Sequence, residues 1–121
     1  MNHSKFVRSF NYAFAGFSHI WQNHQNIRFH IIAAIGALFL AYILKISYIE
    51  YLIVLITIFF VIICEMINTA IEEMTNLITK EHHREAMIAK DVAAAAIFLS
   101  AVFSVIVGLI IFLPRIIKFF F

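Results

Sequence analysis

The residues best suited to chemistry lie in one short block, Glu65-Met66-Ile67-Asn68-Thr69-Ala70-Ile71-Glu72. Spacings of three, four and seven put Glu65, Asn68 and Glu72 on one face of an α-helix, and Asn76 extends the stripe by a turn. Glu65 directly follows an uncharged run over 51–64, so it is expected below the membrane surface. A carboxylate there is costly, and such residues usually face a bundle interior or wet cavity and carry function. Two carboxylates and an amide are hard oxygen donors suited to magnesium. A carboxylate in that setting can also take a proton from a substrate hydroxyl as general base. Together they suit phosphoryl transfer, which is mostly positioning and charge neutralisation. Spacing alone leaves a proton- or ion-translocating site open, because relays use the same residue types. No Gly-rich phosphate loop is present, so a nucleotide site must be built otherwise. Arg28, Lys80, Arg84 and Lys90 are candidates to hold phosphates or are ordinary flanking charges. His82-His83 reads as a solvated loop pair, since adjacent residues do not share a helix face. His30 reads as an interfacial anchor, and Cys64 as a small packing residue.

The elements that position these groups follow from composition. The chain has 121 residues, 64% hydrophobic and only 13% charged. That apolar excess is too large for a soluble core of this size and points to lipid as the solvent. A net charge of +2 gives no reason to expect nucleic acid. One cysteine excludes an intrachain disulfide or thiolate cluster, and the polar opening residues do not read as a signal peptide. Over 4–22, Phe6, Phe10, Ala13, Phe14, Phe17, Ile20 and Trp21 recur three or four apart, predicting an amphipathic surface helix with Ser4 as its cap. Three apolar runs follow, predicting membrane spans over 27–46, 50–72 and 92–113, with Lys45–Glu50 a short turn and Pro114 the stop. Small residues at Thr69, Ala70 and 93–96 allow close helix approach. With three spans, Lys5, Arg8, Arg28, Lys80, Arg84 and Lys90 share one side, against Lys45, Arg115 and Lys118 on the other. The positive-inside rule makes the richer side, with the N-terminus, cytoplasmic. The fold class is therefore an all-α membrane protein of one domain, 1–121.

The Glu65–Glu72 block resembles the prokaryotic diacylglycerol kinase and undecaprenol kinase family, whose pattern is Glu-[hydrophobic]-x-Asn-[Ser/Thr]-Ala-Ile-Glu. Asn11-Tyr12-Ala13-Phe14-Ala15-Gly16-Phe17, Asn26 with Arg28 and His30, and Ala89-Lys90-Asp91 are similar to the family in the same order. Val107-Gly108-Leu109-Ile110-Ile111-Phe112-Leu113-Pro114 resembles the undecaprenol kinase branch. The resemblance implies a homotrimer of three spans and a surface helix per subunit. It implies a bacterial inner-membrane location, active sites between subunits at the cytoplasmic surface, and ATP with Mg2+. By carry-over, Glu65 is the general base that meets the lipid hydroxyl, Glu72 a metal ligand beside the nucleotide, and Asn68 a supporting hydrogen bonder. Lys90 and Asp91 resemble the nucleotide-contacting pair, Glu81, His82 and His83 the loop on the adenine side, and Tyr12 the surface-helix contact; Lys5 matches a further basic ligand. Two positions depart from the family. His24 stands where a second metal-binding Glu is usual, and imidazole is a poorer magnesium ligand. Asn76 stands where Asp is usual. Glu73 is one candidate to substitute, but its helix phase is wrong for the stripe. The implied activity is phosphorylation of undecaprenol, or of diacylglycerol. The rivals are a catalytically impaired member kept for lipid binding or assembly, and a small ion-coupled transporter. No internal repeat of the transporter kind is visible.

Overall fold

A computed structural model describes residues 3–78 and 84–121, which form four helices: α1 (His3–Asn23), α2 (Gln25–Leu44), α3 (Tyr48–Ile78) and α4 (Arg84–Phe120). The last three are each long and apolar enough to cross a membrane. α3 is the central element. A third of its apolar window is buried, against 11% for α2 and α4, and its widest contact is with α4. Large side chains such as Phe39, Phe59 and Phe98 remain well exposed along the bundle. That surface suits hydrocarbon or a partner subunit, not water.

The turn between α2 and α3 is only 45–47, shorter than the 45–50 expected. α2 closes in a Schellman motif, with Ile46 N–H donating to Ala41 O and Lys45 N–H to Tyr42 O. Lys45 takes the left-handed conformation, φ 53° and ψ 54°. The motif's hydrophobic contact is present as buried Ile46 and Ala41, which pack with Val54 and Ile111 into the main core cluster. α3 then opens in a capping box. Glu50 N–H donates to Ser47 Oγ (3.2 Å), and Ser47 N–H donates to Glu50 Oε1 (3.1 Å). Arg115 of α4 closes this end. It grips both oxygens of Glu50 and donates to Lys45 O at 3.2 Å.

Two local expectations need correction. Ser4 does not cap α1, because the helix already includes His3 and puts Ser4 in its first turn. Pro114 ends the uncharged stretch but not the helix, which runs on to Phe120. Proline removes one N–H and crowds the carbonyl four residues earlier. Helices in apolar surroundings tolerate this when neighbouring groups hold the chain, and Arg115 anchors the next residue here. Among the described residues of α1 only Ile20 is buried; Phe6, Phe10, Phe14 and Trp21 stay exposed, so this helix meets the bundle near its C-terminal end.

Candidate active site

At the far end from the Arg115 clasp, α3 carries its polar stripe between the start of α2 and the start of α4. Glu65 is 2% exposed. Among the described residues the basic group beside it is His30 of α2, its Nε2 3.6 Å from Glu65 Oε2, which is too long for a hydrogen bond. One turn on, Asn68 is also buried and its Nδ2 donates to Glu72 Oε1 at 3.4 Å, leaving Glu72 half-buried. Helical spacing from 65 to 68 to 72 therefore does bring these three together.

Among the described residues, Glu65 Oε2 and Asn68 Oδ1 are the buried side-chain oxygens without a hydrogen-bond partner. Such an oxygen costs about 1–3 kcal/mol, more if charged. Two on adjacent turns of one helix make a place that a donor hydroxyl or a cation would satisfy. The donor set is all oxygen: two carboxylates and an amide carbonyl. It fits a hard divalent cation better than a soft one. Beside it, a cavity of about 170 Å³ leads from His30 along Ala34, Ala37, Val61 and Gly108 to Phe112. Its small residues leave an apolar slot between α2, α3 and α4.

The other expected site residues are distributed unevenly. Lys90 of α4 donates its Nζ to Asn76 Oδ1, bringing the Ala89-Lys90-Asp91 block to the stripe's last turn, with Asp91 exposed. Tyr12 and Lys5 lie exposed on α1, Tyr12 at 72%. Glu81, His82 and His83 fall outside the described residues.

His24 is the single non-helical residue between α1 and α2 (φ −126°, ψ 113°). Its Nε2 lies 2.9 Å from Glu73 Oε1, and His19 Nε2 lies 2.7 Å from the same oxygen. The sequence pointed to Glu73 as out of phase with the stripe. One step round the helix from Glu72, about 100°, turns it to the two histidines of the α1–α2 joint. His19, the contact of Glu73 with the two histidines and the nearness of His30 to Glu65 were not anticipated. Each depends on inter-helix register across 35 to 54 residues, and only a histidine in the second turn of α2, level with a buried acid, hinted at the last.

Comparison with known proteins bears on this arrangement. The sequence pattern described as prokaryotic diacylglycerol kinase matches residues 11–112. An undecaprenol kinase of Bacillus subtilis is 39% identical over 112 residues, covering 93% of this chain and 91% of that protein. A diacylglycerol kinase of Synechocystis sp. is 36% identical over 107 residues, 88% of this chain but 61% of that longer protein. A diacylglycerol kinase of Escherichia coli is 26% identical over 103 residues, 85% of this chain and 84% of that one.

Proposed function

This chain belongs to the prokaryotic diacylglycerol kinase family of lipid kinases, and we propose that it transfers the γ-phosphoryl group of ATP to undecaprenol at the cytoplasmic surface of the bacterial inner membrane. The observation that carries the reading is the buried, hydrogen-bond-free Oε2 of Glu65 at the polar end of α3. In the proposed reaction this oxygen receives the proton of the lipid hydroxyl as that hydroxyl attacks phosphorus. His30, 3.6 Å away, then faces the carboxyl group that has taken up the proton. The slot running from His30 to Phe112 supports an apolar chain reaching the hydroxyl from within the bilayer. Undecaprenol is preferred to diacylglycerol on the Val107–Pro114 resemblance and on the likeness to the Bacillus subtilis enzyme.

Glu72 and Asn68 Oδ1 are the groups we assign to magnesium, which when bound neutralises phosphate charge. Lys90 and Asp91 are assigned to nucleotide, with Tyr12, Lys5 and residues 81–83 completing that side. Three copies of the chain, each with α1 lying in the membrane interface, make up the proposed assembly. The aromatic side of α1 and the exposed apolar faces of the bundle support both features.

Phosphate transfer from labelled ATP in mixed micelles tests the proposal. Wild type transfers to undecaprenol, and Glu65→Gln lowers the rate about 100- to 10,000-fold, the usual worth of a general base, with the assembly unchanged. Full activity in Glu65→Gln would remove Glu65 from this role. His24 in the family's second metal position favours a second reading, a member retained for lipid binding or assembly. Absence of transfer by the folded wild type across magnesium and manganese titrations would put that reading first.

A further inference from the structure

We propose that His19, His24 and Glu73 form a binding site for a borderline divalent transition metal of the zinc class, which fastens α1 to α3. The three donors come from three elements: the C-terminal part of α1, the α1–α2 joint and α3. Both imidazole Nε2 atoms converge on Glu73 Oε1, at 2.7 and 2.9 Å, and all three donor atoms lie within 4.8 Å of one another. Neighbouring ligands of a tetrahedral zinc at about 2.0–2.1 Å stand about 3.3 Å apart. The two histidine–Glu73 spacings are those of proton-bridged groups, and each needs an opening of about half an ångström to reach that value. The rings can follow, since the His19 and Glu73 side chains are 52% and 48% exposed.

Two imidazoles and one carboxylate, with outer positions left to water, suit zinc, cobalt or manganese. They do not suit magnesium, which prefers oxygen and keeps its water. Beside the cluster, Asn23 Nδ2 donates to His19 O at 2.9 Å and lies 3.3 Å from His19 Nδ1, one turn on along α1. The assignment differs from the resemblance in ligands and in ion. His24 alone is shared with the family's metal position; His19 and Glu73 are not, and Glu72 is not part of the cluster. It does not rest on the kinase reading.

The test uses the full-length protein in detergent micelles. Cobalt(II) is titrated and its visible absorption followed; zinc is then competed against a chromogenic chelator. One ion per chain is expected, with a visible band typical of low coordination number. Excess magnesium should leave zinc affinity unchanged. Glu73→Gln and His19→Gln, both at half-exposed positions, should each weaken zinc binding at least ten-fold while keeping the helical circular dichroism of the wild type. Zinc should raise the thermal midpoint of the wild type, and of neither variant, through binding to the folded state alone. No saturable cobalt or zinc binding would overturn the proposal. So would binding of equal strength in both variants, which would assign the metal to other histidines of the chain.

Discussion

Replacing Glu50 by alanine removes the group that joins three elements at the end of the bundle remote from Glu65. The loss has two parts. Ser47 N–H loses its acceptor at 3.1 Å, half of the capping box, while Ser47 Oγ still receives residue 50 N–H. A helix cap is worth about 1 kcal/mol, so this half contributes about 0.5 kcal/mol. Arg115 loses both carboxylate oxygens but keeps Lys45 O. Hydrogen bonds to charged groups reach about 1.5–3 kcal/mol when buried. The side chains here are 36% and 23% exposed, so solvent reduces that to about 1 kcal/mol. Glu50→Ala should therefore cost about 1.5 kcal/mol of unfolding free energy, measured by reversible denaturation in mixed micelles. A double-mutant cycle with Arg115→Ala should return about 1 kcal/mol of coupling, and one with Ser47→Ala far less, because each capping-box bond uses the other residue's backbone N–H. The KM for ATP should stay unchanged, because Glu50 lies 15 residues before Glu65, about 22 Å along the helix. A loss below about 0.5 kcal/mol, or zero coupling to Arg115, would refute the view that this clasp holds α4 to the turn.

Lys45→Gly should stabilise the protein by about 0.5–1 kcal/mol, since φ 53° strains a residue with a Cβ; an unchanged denaturation midpoint would argue against strain there. Glu72→Gln should raise the magnesium concentration for half-maximal transfer several-fold, and an unchanged requirement would count against metal ligation. Lys90→Met should raise the KM for ATP about ten-fold or more, as removal of a phosphate-binding charge does. If Lys90 only holds Asn76, the variant would lose stability and keep its KM.

Much of this architecture could be read from residue order. Apolar runs flanked by charge set three long helices, and the 3.6 period aligned Glu65, Asn68 and Glu72 before any contact was known. The features that could not be read share one cause. Glu50 with Arg115, His24 with Glu73 and His30 beside Glu65 are separated by 65, 49 and 35 positions. Each needs the axial offset and rotation of two packed helices, which depend on many side chains at once. Pro114 misleads for a related reason. Its local rule predicts a helix end, but the anchoring of Arg115 on Glu50 and Lys45 carries α4 past it. The Schellman turn was hidden because lysine occupies a position where glycine is the usual signal.

The joint at His24 acts as a gear between α1 and the rest of the chain. With a single non-helical residue between them, there is no slack to absorb a change in length. Adding or deleting one residue in α1 near the joint would roll the preceding part of that helix by about 100° and slide it by about 1.5 Å. Its row of phenylalanines would then turn away from the side it now presents. The count of residues between Phe17 and Ile27 should therefore be held fixed among natural variants of this chain.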